Sequence, residues 1–187
     1  LDQLVGIIPQ HLDLVILGYF TDLSTVGIFR IGKRLVEPIT YIITVLTPLV
    51  QNQLSKESIK VNFSELIKNL LLPLSTIIVI TYVLFGENLI NLISGSEFLD
   101  AYEPMLVLII GYIIYLNTFW IRQMLLFSNL IQFHAFSRLI SLAVFVAGSF
   151  LFVVQFGAVG IAIATSMSMI AQKIYEFYAF NKYTKQN

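Results

Sequence analysis

The residues whose chemistry stands out follow one face of a long apolar stretch near the start of the chain. Arg30, Lys33, Arg34, Glu37 and Tyr41 recur at helical spacings, so they share one face. A charge inside a bilayer costs roughly 2.5–3.5 kcal/mol by insertion scales, so it faces a partner or a water-filled cavity. A surplus of cations predicts a cavity that holds an anion, and these five residues are predicted to bind the substrate. The same face continues through Thr40, Thr44, Thr47 and Gln51.

Asp13 is the sixth predicted substrate-binding residue. It precedes the turn after Phe20 by about as many residues as Arg30 to Arg34 follow Ser24, so at ~1.5 Å per residue their depths coincide. The spacing therefore predicts that Asp13 faces one or more of the three cations. Two structural alternatives stay open: an ion pair that only locks two helices, and an Arg30 side chain that snorkels to the outer surface. Because one aspartate and one glutamate do not neutralise three cations, the surplus charge needs water or an anionic ligand.

Further along the chain, Tyr115, Thr118 and Arg122 recur on one helix face. They are interpreted as a second cavity wall, with snorkelling to headgroups as the alternative for Arg122. Lys173 and Glu176 are spaced for a local ion pair, which we place at the membrane interface. His134, beside a connection, is interpreted as an interfacial side chain.

The composition is that of a polytopic membrane protein. Of 187 residues, 57% are hydrophobic and 12% charged, whereas a soluble domain has about 25% charged residues. The net charge of zero gives no indication of nucleic-acid binding. No cysteine and no recognisable catalytic motif occurs, so no metal site, catalytic residue or cofactor is predicted and the chain does not read as an enzyme. An antiporter would use Asp13 to carry H⁺ or Na⁺, but neighbouring cations keep its carboxylate ionised.

Six apolar stretches have about the 20-residue length that a bilayer crossing needs. They predict an all-α, six-helix transmembrane bundle over 1–187. The predicted spans are 3–20, 24–52, 66–86, 103–127, 133–154 and 158–180.

Two connections need separate interpretation. The uncharged run 139–172 is too long for one crossing, and Gln155-Phe156-Gly157 is predicted to fold it into a helical hairpin. Residues 87–99 are too short and polar to span, and fit either a short interfacial helix or a soluble loop. The small residues after Gly157 predict close helix contacts.

Charge in the connections alternates along the chain. The 55–68 and 128–138 connections and the C-terminal tail carry the cations, which places them and both termini in the cytoplasm by the positive-inside rule. Because the chain begins with Leu1 and shows no signal peptide, it is expected to be a fragment of a longer protein.

Several motifs occur in an order that resembles a known family. They include 13–20 (DLVILGYF), 24–34 (STVGIFRIGKR), 84–86 (LFG), 94–98 (SGSEF) and 156–165 (FGAVGIAIAT). Together they resemble polysaccharide and oligosaccharide flippases of the multidrug/oligosaccharidyl-lipid/polysaccharide transporter superfamily.

The resemblance implies two helical bundles that face each other across a central cavity, of which this chain is the second. It implies that the carrier flips an undecaprenyl-pyrophosphate-linked oligosaccharide across the bacterial inner membrane by alternating access. The partners would be this lipid-linked sugar, membrane lipids and the missing N-terminal bundle. Three alternatives stay open: a cation-coupled multidrug exporter of the same superfamily, a membrane glycosyltransferase or polymerase, and a scaffold without transport.

Overall fold

The computed structural model describes residues 12–55, 67–128 and 130–184, and every regular element within them is helical. Predicted features that fall on 1–11, on 56–66 or on the last three residues lie outside these ranges. The elements in chain order are α1 (12–20), α2 (Leu23–Val36), α3 (Pro38–Ser55), a π-helical turn (Ile67–Leu71), α4 (Leu72–Ser94), a 3-10 turn (Ser96–Ala101), α5 (Tyr102–Phe127) and a helical stretch Ile131–Thr184.

Three stretches of the described residues are long and apolar enough to cross a membrane. They are Asn69–Ser94, Ser96–Phe127 and Ile131–Lys182. The last has 52 residues, more than twice the length that one crossing requires. The described part of the chain is therefore all-helical, with three stretches whose length and composition are those of membrane-spanning helices, and the count of six spans stays a prediction.

The long stretch is folded in two at Gly157, as the sequence predicts. Gly157 has φ 50° and ψ −120°, a backbone conformation that favours glycine. We call the two arms α6 (131–156) and α7 (158–184). A methyl group added at Gly160 would lie 2.2 Å from the carbonyl oxygen of Phe152, so only glycine lets the arms approach this closely. The close contacts predicted for this small-residue segment are confirmed.

The structure corrects the interpretation of residues 87–99. The helix that was expected to end at residue 86 runs on to Ser94, and Gly95 (φ 97°) then leads into the 3-10 turn. Gly86 does not end the helix because it serves packing: a methyl group there would lie 2.7 Å from Met105 Cε and 2.8 Å from Tyr102 Cε2. Residues 87–94 are thus neither a separate interfacial helix nor a loop.

Pro73 lies inside the apolar stretch Asn69–Ser94, as predicted, but two of the prolines predicted inside spans stand near helix starts. Pro73 lies in the first turn of α4 and Pro38 begins α3, positions where the missing N–H costs no helical hydrogen bond. Of the described prolines that were predicted inside spans, only Pro48 lies in a helix interior.

Helix α5 lies at the centre of the bundle and contacts α2, α3, α4 and the hairpin. Its buried side chains include Met105, Leu108, Leu116 and Leu125, all without exposed surface. The backbones of α5 and α7 approach closely where Ser166 Oγ donates to the Val107 carbonyl at 2.8 Å.

Three connections meet at one end of the bundle, which we call the acidic end. Gly157 faces Thr25 at the start of α2, and Gly27 faces Phe98 in the 3-10 turn. The sequence of these connections (20–25, 95–103 and 154–160) contains acidic residues but no lysine or arginine. The opposite end, where α5 turns into α6, we call the basic end. Cations near this end include Arg122, Arg138 and Lys182.

Candidate functional site

The predicted contact between Asp13 and the cations of α2 forms with Lys33. Lys33 Nζ lies 2.5 Å from Asp13 Oδ2, and the side chains are 15% and 3% exposed. The other carboxylate oxygen of Asp13 accepts a hydrogen bond from the Leu14 backbone N–H at 2.8 Å. The pair therefore joins α1 to α2, which is the contact expected of a helix-locking ion pair.

Arg30 and Arg34 occupy the opposite side of α2. The buried side consists of Phe29, Gly32 and Val36, whereas both arginines are exposed. Gly32 lets α2 touch α5, since a methyl group there would lie 2.9 Å from the Ala101 carbonyl oxygen.

Neither arginine forms an ion pair or hydrogen bond with any of the residues that the structure describes. Because a helix rises ~1.5 Å per residue, they lie about 12 and 18 Å along α2 from Asp22 at the acidic end.

Glu37 and Tyr41 occupy the junction between α2 and α3. Glu37 is half-buried, and its backbone N–H donates to the Lys33 carbonyl at 3.0 Å. Tyr41 is 67% exposed, on the surface of α3. The threonines of the predicted stripe donate their hydroxyl protons to carbonyls of their own chain segment. Thr40 donates to Glu37, Thr44 to Thr40 and Thr47 to Ile43.

The far end of the stripe is joined to α5. Gln51 Nε2 donates to Oε1 of the buried Gln123 at 2.9 Å. The predicted continuous face is therefore divided into a buried ion pair, an exposed pair of arginines and a hydrogen bond that links two helices.

Each residue of the predicted second wall has a different environment. The Thr118 hydroxyl donates to the Ile114 carbonyl at 2.5 Å, within α5. Arg122 has a buried Nε atom without a hydrogen-bond partner in the described part of the chain. Tyr115 lies beneath Lys173, whose Nζ is 4.3 Å from the ring centroid. No ion pair or hydrogen bond between described residues joins these three to Arg30 or Arg34.

The most completely buried ionic group lies elsewhere, around Glu176 on α7. Glu176 Oε1 is 2.8 Å from His134 Nδ1, and it accepts from Ser137 Oγ at 3.0 Å and Gln172 Nε2 at 3.1 Å. Glu176 Oε2 accepts from Lys173 Nζ at 2.7 Å. We call these five residues the Glu176 cluster. It ties α6 to α7 and, through Tyr115, to α5.

The interfacial interpretation of Lys173, Glu176 and His134 is wrong. Their exposed fractions are 3%, 0% and 8%. The sequence did contain a signal for this cluster. Folding the chain at Gly157 brings residues near 134 opposite residues near 176, so a histidine and serine three apart face a lysine and glutamate three apart. What the sequence lacked was which face of each arm turns inward.

No group of three or more acidic, histidine or cysteine side chains suited to a metal ion occurs among the described residues.

Comparisons with known proteins do not assign the chain. No family model matches it, and neither a curated protein nor a solved structure matches it significantly.

Proposed function

We propose that this chain is one half of a carrier that flips a lipid-linked oligosaccharide across a bacterial inner membrane. The observation that supports it is the exposure of Arg30 and Arg34 on a helix of an apolar bundle, while Asp13 is engaged with Lys33. An unpaired arginine at membrane depth is costly unless it faces water or a partner. Two of them, one helical turn apart, favour an anionic partner.

The guanidinium group suits a phosphate because it presents planar, forked donors that match phosphate oxygens. The resemblance to polysaccharide flippases supplies the substrate class, an undecaprenyl-pyrophosphate-linked sugar. In this proposal Arg30 and Arg34 hold the pyrophosphate or acidic sugars. Tyr41 and Glu37 line the floor of the cavity, and Asp13 fixes Lys33 beside it.

The same proposal includes the other helical bundle that the resemblance implies, which faces these arginines and completes the cavity. It also places the basic end of the chain in the cytoplasm. The separation of acidic and basic residues between the two ends supports that orientation by the positive-inside rule. No enzymatic step is involved, and H⁺ or Na⁺ would be the coupling ion.

The test is complementation in bacteria that lack the intact protein containing this chain. Arg34→Gln, and Arg30→Gln with Arg34→Gln, are expected to abolish surface polysaccharide while the amount of protein in the membrane stays normal. The double variant Arg30→Lys with Arg34→Lys keeps both positive charges but loses the forked donors of the guanidinium groups. It is expected to retain partial export. Arg138→Gln, on α6, is the matched control and is expected to export normally.

Normal polysaccharide in the double glutamine variant would overturn the proposal. The drug-exporter alternative predicts ethidium efflux that is lost in an Asp13→Asn variant. It is less well supported, because Asp13 is bonded to a cation already. A glycosyltransferase would show sugar transfer to lipid in membranes, and a scaffold would tolerate every one of these changes.

A further inference from the structure

The structure points to a proton-binding site that the proposed transport function does not include. We infer that Nε2 of His134 binds a proton supplied from the basic end of the bundle, and that this proton governs the contact between α6 and α7. The inference concerns a different part of the molecule from the exposed arginines and does not depend on them.

The tautomer of His134 follows from its partner. Glu176 is a carboxylate and only accepts hydrogen bonds, so His134 Nδ1, 2.8 Å away, must carry the proton of that bond. In the neutral ring, Nε2 then carries a lone pair and no proton. This atom is buried and has no partner among the described residues, although His134 is only 8% exposed. A buried acceptor without a donor is uncommon in folded proteins and calls for an explanation.

The proton is the ligand that fits this position. Glu176 Oε1 lies within hydrogen-bond distance of His134, Ser137 and Gln172, and Glu176 Oε2 accepts from Lys173. The single proton of the Ser137 hydroxyl is shared between Glu176 and the His134 carbonyl, which is the closer acceptor at 2.7 Å. The ammonium group of Lys173, 2.7 Å from Glu176 Oε2, already supplies a positive charge beside the carboxylate. The open electron pair is on a histidine nitrogen, whose charge changes between about pH 5 and 8.

Binding this proton changes the charge balance of the cluster. With a neutral histidine, Lys173 and Glu176 cancel, whereas protonation of His134 leaves two cations sharing one carboxylate. The neighbouring elements do not compensate. Helix α5 contributes the ring of Tyr115 and, two turns further on, Arg122, while α6 carries Arg138 one turn beyond His134. A surplus buried charge favours hydration, and hydration requires the two arms to separate.

The two arms of the hairpin can separate at the Glu176 cluster, which lies far from the fixed end. The closed end of the hairpin is fixed by Gly157 and by the contact of Gly160 with the Phe152 backbone. The Glu176 cluster lies at the other end, about 34 Å along α6 from Gly157. Protonation therefore loosens the open end of the hairpin and leaves the closed end in place.

The first measurement is histidine nitrogen NMR on the intact protein in lipid nanodiscs. Subtracting the spectrum of His134→Gln isolates the His134 signals, and His11→Gln is the matched control. The expected result is an Nε2 signal that changes from bare to protonated as the pH falls from about 8 to 5. Glu176→Gln should move the midpoint to lower pH by about tenfold in proton concentration, and Lys173→Met should move it to higher pH by a similar factor.

The second measurement tests the movement in a cysteine-free background. Spin labels at Ile131→Cys and Asn181→Cys, both exposed, report on the open end of the hairpin. Labels at Leu151→Cys and Met167→Cys, which are 65% and 44% exposed, are the control closer to Gly157. The first distance is expected to lengthen over the pH range in which Nε2 gains its proton, and the second to stay constant.

Three results would overturn the inference. They are an Nε2 that does not change between about pH 5 and 8 in the folded parent protein, a midpoint unmoved in both charge variants, or open-end distances independent of pH. Lys173→Met keeps the test decisive if Glu176→Gln does not fold. No substrate is needed, so failure here is distinguishable from failure of the proposed transport function.

Discussion

The contact between α1 and α2 and the contact between α6 and α7 each hold a lysine against a carboxylate, but they differ in what else surrounds the ions. Lys33 is 15% exposed and has a route to the surface, whereas Lys173 is 3% exposed and lies beneath other helices. Four side chains of the two helix arms lie within hydrogen-bond distance of Glu176. Asp13 receives a lysine and a backbone N–H.

The comparison shows that two oppositely charged residues at ion-pair spacing do not contribute a fixed amount to the free energy of unfolding. The cost of removing one partner depends on whether the remaining ion can then reach water. Lys33 can reach water, since a lysine side chain extends to the solvent from a partly exposed position. Lys173 cannot reach water unless the whole hairpin opens. The following substitutions test this contrast.

Removal of Glu176 should have the largest effect. Glu176→Leu leaves Lys173 buried without a counter-ion and removes the acceptor of Gln172 and His134 as well, whereas Ser137 retains the His134 carbonyl. The expected loss is about 3–5 kcal/mol of unfolding free energy, the range for breaking a buried pair by deleting one partner. Denaturant unfolding of the protein in mixed micelles measures it, with the exposed Glu97→Leu as control. Stability within about 1 kcal/mol of the parent protein would show that the cluster is hydrated after all.

Removal of Asp13 should have a smaller effect. Asp13→Leu is expected to cost about 1.5 kcal/mol, the lower end for a hydrogen bond to a charged group, because Lys33 can turn outward. A double-mutant cycle with Lys33→Met in the same unfolding assay isolates the pair. If the coupling energy equals that of the Lys173–Glu176 pair, exposure does not explain the contrast between the regions.

The N-cap of α2 should show the smallest effect, because it is exposed. Asp22 Oδ1 accepts from the Thr25 backbone N–H at 2.9 Å. Hydrogen bonding by Thr25, first through its side chain and then through its backbone, lowers the pKa of Asp22 below its ordinary value of 3.8.

Since the folded-state pKa is depressed, the stabilisation by Asp22 is present above the unfolded value and is lost as the pH falls through the folded one. Asp22→Asn, which retains capping without the charge, should therefore match the parent protein below about pH 3 and differ slightly at pH 7. Unfolding curves at the two pH values measure this. An equal difference at both would mean that the charge contributes nothing.

The sequence predicted those features that depend on length and depth. The hairpin follows from an uncharged run that is too long for one crossing, and the Asp13–Lys33 contact follows from equal distances to the Asp22 turn. Both were read correctly because helix rise is nearly constant.

The misread features depend on which face of a helix turns inward. Gly86 looked like a helix end, but it is a contact surface for Tyr102 and Met105. Lys173 and Glu176 looked like an interfacial pair, because i,i+3 spacing is the same on a buried and an exposed face. Tyr115 was assigned to a second cavity wall, but its ring packs against Lys173 of the Glu176 cluster. Such residues are placed by tertiary packing, which a single sequence does not specify.

One contact between α4 and α2 has a mechanical consequence. Tyr82 of α4 donates its hydroxyl proton to the Leu35 carbonyl at 2.5 Å, next to the break at Glu37 where α2 passes into α3. Pro38 supplies no N–H to the carbonyl of Arg34, so the helical hydrogen-bond pattern is interrupted where α2 passes into α3. The bond therefore fixes α4 against the C-terminal end of α2, at the residue that follows Arg34.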